Sequence, residues 1–152
     1  MHDTSKLEFS KITPYIFLGT SMCCQEHFDA KLIKRGIRAD ISLEYKHIDA
    51  PHGTGYFLWL PTKDHKAPSL KILKLGADAL DELVKSKIKT YVHCKQGHGR
   101  SPTLVTAYFI LNGKSWKEAF KFIKSKRPSV HLTKAQVKAL RNFGKKFKSK
   151  NK

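Results

Sequence analysis

His93-Cys94-Lys95-Gln96-Gly97-His98-Gly99-Arg100-Ser101 is the stretch on which the fold of this chain turns. It follows the alternating run Lys89-Thr90-Tyr91-Val92 and precedes a helix-like segment at 103–111, so a tight loop between a strand and a helix N-terminus is predicted. A helix N-terminus offers unpaired backbone N–H groups and the positive end of the peptide dipoles. Gly97 and Gly99 allow the backbone to curl until those N–H groups converge. Arg100 adds a planar cationic fork able to hold two phosphate oxygens at once. Lys95, Gln96, Gly97, His98, Gly99 and Arg100 are therefore the expected phosphate-binding residues. Cys94 opens the loop inside the same positive field, which favours the thiolate, the nucleophilic form of the side chain. Ser101 can hydrogen-bond that sulfur and help it leave once it is phosphorylated.

The plainer reading of a lone cysteine is a buried structural residue before a glycine turn. Cysteine, two glycines, arginine and serine in this order, between strand and helix, argue against it. Rhodanese-type and arsenate-reductase loops also wrap a thiolate and are closer rivals. A candidate general acid upstream, Asp64, speaks against them.

Around this loop the composition sets limits. At 152 residues the chain fits one domain spanning 1–152, large enough to bury about 68–70% of its unfolded surface without a metal or disulfide framework. The three cysteines, Cys23, Cys24 and Cys94, form no Cys-x-x-Cys pair, which fits a reducing compartment. Cys23 and Cys24 read either as small core residues or as partners that shield Cys94 under oxidation. The N-terminus lacks the apolar core of a secretory signal, and no apolar run approaches the ~18–20 residues of a membrane span. A cytoplasmic protein is expected, at most peripheral to an anionic membrane. Lys and Arg total 30 against 12 acidic residues, a formal charge of +18 that attracts polyanions of any kind.

In chain order, residues 6–20 read as two short strands broken at Pro14, the first at a sheet edge. A short helix within 22–34 ends at Gly36, and a strand occupies 37–43. Tyr56-Phe57-Leu58-Trp59-Leu60 reads as a strand covered on both faces, stopped by Pro61. Ser69 starts a helix with Leu73, Leu80, Leu83 and Val84 inward, and 89–93 returns as a strand into the loop. Strand, helix and strand imply parallel pairing, with ligands bound at the carboxyl ends of the strands. Three helices follow. The segment 103–111 should be buried, and Ser115-Trp116-Lys117-Glu118 and Thr133-Lys134-Ala135-Gln136 each match a capping box. A basic tail is expected to fray from about 145. The predicted class is α/β, a single domain with a mostly parallel twisted sheet flanked by helices.

Transfer of a phosphoryl group to a thiolate requires a proton for the departing oxygen. Asp64 lies on a loop after a strand, thirty positions before Cys94 and on the same sheet edge, and is the expected acid. A turn-forming role is its bland alternative, and Asp49 and His65 are the reserves. His93 is read as orienting the loop by hydrogen bonding. His98 lines the loop and reads equally as a polar rim residue.

The pattern His-Cys-x-x-Gly-x-x-Arg-Ser resembles the signature of cysteine-based protein-tyrosine and dual-specificity phosphatases. Chain length and the Asp-to-Cys spacing look like those of a small dual-specificity phosphatase. Segments Ile41-Ser42-Leu43-Glu44-Tyr45, Pro61-Thr62-Lys63-Asp64 with Ala67-Pro68-Ser69, Trp116-Lys117-Glu118-Ala119 and Arg127-Pro128-Ser129-Val130-His131-Leu132 resemble, more narrowly, the mitochondrial-type phosphatidylglycerophosphate phosphatase group and its plant and bacterial relatives. That resemblance implies a two-step reaction. Cys94 attacks phosphorus, Asp64 protonates the leaving group, and water, deprotonated by Asp64, hydrolyses the cysteinyl phosphate, while Arg100 and the loop hold the phosphate oxygens. No cofactor or metal is implied. Departures are Gln96 where the group usually has alanine, His98 where many members have Arg or Lys, Leu43 in place of an acid, and a targeting extension not found here.

Four functions follow as expectations: a phosphatase of anionic phospholipid headgroups such as phosphatidylglycerophosphate or a phosphoinositide, a protein phosphatase of phosphotyrosine and phosphoserine or phosphothreonine, an RNA 5′-triphosphatase, and a non-catalytic phosphate-binding module. Lys95 reads either as a contact for a second anionic group or as a surface lysine. The lipid reading leads, with the basic surface on an anionic membrane. Nucleic acid is a weaker partner because no basic and aromatic strand face is apparent. A monomer is expected.

Overall fold

The computed structural model describes residues 7–21, 28–48 and 52–148. Cys23, Cys24 and Asp49 lie outside them. Five strands form one sheet in the order β1-β2-β5-β3-β4, where β1 is Phe9–Thr13, β2 Ile16–Gly19, β3 Ala39–Ser42, β4 Tyr56–Trp59 and β5 Thr90–His93. Only β1 runs antiparallel, joined to β2 across Pro14; the pairs β2–β5, β5–β3 and β3–β4 are all parallel. In register, His93 at the end of β5 lies beside Gly19 on one side and Ser42 on the other. The loop that follows it therefore rises from the middle of the sheet.

The helices are α1 (Ala30–Lys34), α2 (Leu70–Lys85), α3 (Arg100–Leu111), α4 (Trp116–Lys126) and α5 (Lys134–Phe147). Side-chain caps start most of them, as local sequence dictates. Asp29 accepts from Lys31 N, Ser69 from Ile72 N, and Thr133 with Gln136 closes a full capping box. At α4 only half of that box forms, because Ser115 accepts from Glu118 N but donates its hydroxyl to the Glu118 carboxylate. Gly36 follows α1 with φ +84°, the left-handed turn expected there.

α3 is apolar nearly all round, and every residue from Arg100 to Ile110 is buried. It packs on the sheet beneath α2, α4 and α5, and the main core of Leu18, Ile41, Val92, Leu73, Leu80, Leu104, Val105, Ile123, Leu140 and Phe143 fills that layer. A smaller cluster of Phe17, Phe28, Leu32, Ile37 and Tyr91 covers the opposite face with α1.

Three expectations need correction. β4 is not covered on both faces: among the described residues it pairs with β3 alone, and at the sheet edge it leaves Tyr56 53% and Trp59 41% exposed. α3 begins at Arg100, three residues before the expected start, because the loop passes directly into the first helical turn with Pro102 inside it. α5 continues through Lys145 and Lys146 to Phe147, past the point where the tail was expected to fray. No helix among the described residues is long and apolar enough to cross a membrane.

Candidate active site

β5 delivers Cys94 to the sheet edge, and the next residues wrap around it before entering α3. Cys94 is 3% exposed. Its Sγ accepts from the Gly97 N–H at 3.3 Å and lies 3.2 Å from Ser101 Oγ. The Gly97 N–H donates to the sulfur, and the Ser101 hydroxyl can donate to it when it is ionised, hydrogen bonds to an ionised group being the stronger kind. Gly97 has φ +71°, and a Cβ there would lie 2.6 Å from the Gly19 carbonyl oxygen. Glycine is thus required both for the backbone turn and for the close passage over β2.

Arg100 is 3% exposed and is held from one side. Its Nη1 donates to the Thr62 carbonyl at 2.9 Å and the Leu43 carbonyl at 3.4 Å, and Nη2 to Glu44 Oε1 at 3.4 Å. Nε is buried without a hydrogen-bond partner, its nearest counter-charge being Asp64 Oδ1 at 3.4 Å. One edge of the guanidinium is therefore fixed by β3, β4 and their loops, and the other is offered to the cleft. An oxyanion would complete it.

That cleft, about 150 Å³, is lined by Asp64, His65, Cys94, Gln96, His98, Gly99, Arg100, His131, Thr133 and Gln136. Asp64 is 59% exposed at its mouth and accepts from the His65 backbone N–H at 2.9 Å. Acid candidate and sulfur thus share one opening, as the sheet-edge argument anticipates. His65, the reserve, lines it too. Lys95 turns away into a neighbouring cleft with Tyr45, Lys46, His47 and Lys63, which shares Asp64 and Arg100 with the first. His93 does not face either opening: it is fully buried, its Nε2 lies 3.0 Å from Asp40 Oδ1, and its ring stacks on Tyr91 at 5.2 Å. His98 stays at the rim, its ring 5.4 Å from that of His131. Burial, then the Arg127 cation and His131, lower its pKa below the usual 6.5.

Residues 16–146 match the family described as dual specificity phosphatase, catalytic domain. The chain belongs to the dual specificity phosphatase catalytic-domain family. It is a cysteine-dependent phosphatase domain. The phosphatidylglycerophosphate phosphatase PTPMT2 of Arabidopsis thaliana is 36% identical over 88 residues, covering 57% of this chain and 39% of that protein. Dual specificity protein phosphatase 5 of Homo sapiens is 30% identical over 124 residues, 79% of this chain and 31% of that protein. The chain thus spans 39% or less of the length of these curated relatives. Among solved structures, PTPMT1 in complex with PI(5)P superposes with a TM-score of 0.80 at 23% identity, covering 91% of this chain and 96% of that one. At that identity the likeness is one of fold.

Within this dual-specificity phosphatase domain several residues were not singled out by the sequence reading as parts of the site. Arg127, at the end of α4 and 2% exposed, donates through Nε to the Gly97 carbonyl at 3.1 Å, through Nη2 to the Gln96 carbonyl at 3.0 Å and through Nη1 to Ser10 Oγ at 3.1 Å. The His131 N–H donates to the His98 carbonyl at 2.9 Å. These contacts satisfy the carbonyls of Gln96, Gly97 and His98, three successive acceptors of the loop. Glu44 fixes Arg100, and Gln136, 1% exposed, ties the Asp64 loop to α5 by donating to the Lys66 carbonyl at 3.1 Å. One signal was available: Arg127 is an arginine before a proline in a chain whose basic residues are mostly lysine.

Proposed function

We propose that this domain hydrolyses phosphomonoesters of anionic phospholipid headgroups through a cysteinyl-phosphate intermediate. The thiolate of Cys94 forms a bond to phosphorus as the P–O bond to the alcohol breaks, and the departing oxygen takes a proton from Asp64. Water then attacks the phosphorus and gives a proton to the Asp64 carboxylate. The P–S bond breaks and the thiolate returns, steadied by the Ser101 hydroxyl 3.2 Å away. The Nε and Nη2 edge of Arg100 and the N–H groups of Lys95, Gln96, Gly97, His98 and Gly99 hold the phosphate oxygens. Phosphate on Arg100 takes the place of Asp64, now 3.4 Å from Nε, and leaves that carboxyl free to serve as acid.

The chemistry rests on one observation: a buried arginine edge with an unmet donor, beside a buried sulfur that already accepts from the loop. For the substrate class, support comes from Lys95, exposed in the cleft next to the catalytic one, and from similarity to a phosphatidylglycerophosphate phosphatase. Protein phosphatase activity is the second reading, favoured by the longer alignment with dual specificity protein phosphatase 5. Phosphate release from a lipid phosphomonoester beside that from a phosphotyrosyl peptide, with Cys94→Ser as blank, decides between them. A higher kcat/KM on the lipid is expected; a higher one on the peptide assigns the domain to proteins.

A further inference from the structure

Five large apolar side chains are strongly exposed among the described residues, and three of them, Tyr45 at 47%, Ile48 at 54% and Trp59 at 41%, belong to the carboxyl ends of β3 and β4 and the loop after β3. Trp59 is pinned there, its Nε1 donating to the Glu44 carbonyl at 2.7 Å while the ring stays half open to solvent. Lys63 holds its ammonium 5.6 Å above the Tyr45 ring, and Lys46 and Lys95 line the same cleft of about 370 Å³. Of the two acids that line it, Glu44 is buried against Arg100 and offers no exposed charge. Asp64, 59% exposed, faces the Arg100 guanidinium where this cleft meets the catalytic one, so the three lysines outnumber the exposed carboxylate. Asp78 and Asp81 sit on α2, paired with Lys74 and Lys85.

Amphipathic aromatic side chains with lysines between them are what settles at a lipid headgroup layer: rings and an aliphatic tip enter the interface while the cations meet anionic headgroups. A protein partner would more often be met by a groove that encloses its anchors, whereas here the apolar groups stand out from the surface. The cleft also shares Asp64 and Arg100 with the catalytic opening. A surface seated on this patch would present its headgroups directly to Cys94.

We propose that Tyr45, Ile48 and Trp59, with Lys46 and Lys63, form a docking face for an anionic phospholipid surface, seating the domain with its catalytic cleft toward the headgroups. This rests on the lipid reading above and adds to it a definite orientation. It also separates two roles of the positive charge: the lysines of α4 and α5 supply a general field, whereas those beside Tyr45 act at short range together with apolar anchors.

The test is co-sedimentation of the full chain with phosphatidylcholine vesicles carrying ~30% phosphatidylserine, beside pure phosphatidylcholine, for wild type, Tyr45→Ser/Ile48→Ser and Lys46→Gln/Lys63→Gln. Wild type should bind the anionic vesicles alone. Each double variant should bind at least ~10-fold more weakly, the lysine variant by losing about 1 kcal/mol per basic residue and the apolar variant by losing its buried anchors, with turnover of a soluble aryl phosphate unchanged. In a Trp116→Phe background, the remaining Trp59 emission should shift to the blue on binding. Vesicle affinity unaltered in both variants, an unshifted Trp59 or no vesicle binding by wild type would overturn the docking face. Loss of phosphopeptide turnover in the variants with vesicle binding intact would instead make the patch a protein-recognition surface. A short-chain, monomeric lipid phosphate keeps the two proposals apart. If it is hydrolysed while vesicles are not bound, docking fails and the lipid reading stands; if it is not hydrolysed while a phosphopeptide is, the lipid reading fails.

Discussion

Arg127 donates through Nε to the carbonyl of Gly97 across 3.1 Å, gripping by its backbone the loop that wraps Cys94. With its other two nitrogens on the Gln96 carbonyl and Ser10 Oγ, this side chain satisfies one buried and one part-buried loop carbonyl. Arg127→Ala leaves the buried Gly97 carbonyl unpaired, at about 1–3 kcal/mol, and gives up the part-buried contact to Gln96. It also lets the loop drift, and a shift of about 1 Å can lower a rate ~100-fold. We expect a fall in kcat of one to two orders of magnitude together with a lower urea midpoint. Arg127→Lys, whose single ammonium cannot span both carbonyls, should recover stability more than rate. Rates equal to wild type in both variants would show that the loop holds its shape unaided.

Ser101 Oγ lies 3.2 Å from Cys94 Sγ, close enough to donate to the sulfur as it leaves phosphorus. Its removal should slow hydrolysis of the intermediate more than its formation. A hydrogen bond to a charged group is worth about 1.5–3 kcal/mol, so Ser101→Ala should lose roughly 10- to 100-fold in kcat. Stopped-flow with an aryl phosphate should then reveal a burst of phenol that approaches one equivalent per enzyme. A linear trace with no burst would place the serine's contribution elsewhere.

How far these features could be read in advance follows from the range over which each acts. The phosphate loop, the Ser69 and Thr133 caps and the position of Asp64 on the strand edge are legible, because each depends on residues a few places apart or on the rule that parallel strands end together. Arg127 and Glu44 are not legible in the same way: they reach the site from sequence separations of 30 and 56, and the one local cue, an arginine before a proline at 127, does not say which atoms it meets. The run at 56–60 misleads for a related reason. Its apolar character suits a strand buried on both faces, but the edge position that exposes Tyr56 and Trp59 is a property of sheet order.

Gly97 joins two constraints in one residue, φ +71° and a Cβ position 2.6 Å from the Gly19 carbonyl oxygen. Left-handed backbone costs an alanine about 1–2 kcal/mol, and the overlap with β2 cannot be relieved by a rotamer change. Gly97→Ala should therefore destabilise the fold by at least ~2 kcal/mol and displace the N–H that meets Cys94 Sγ at 3.3 Å. Activity should drop more than 100-fold even well below the melting temperature. Full activity in a stably folded Gly97→Ala protein would mean that the loop tolerates a different path.

His98 carries the expected pH dependence of the loop's stability. Burial, Arg127 and His131 lower its pKa from the usual 6.5, against weaker opposing effects of Glu8 and Asp64. The unfolded chain therefore takes up a proton near 6.5 while the folded one resists until the pH is lower. Between those two values the unfolded state binds more protons, so this contribution is fully present above 6.5 and is lost as pH falls through the folded value. His98→Asn removes the titration while keeping a polar side chain at the rim. The melting temperature of wild type should decline more steeply than that of the variant as pH drops below 6.5 at constant ionic strength, and the two should lie closest at pH above it. Parallel curves would assign the acid sensitivity to other groups.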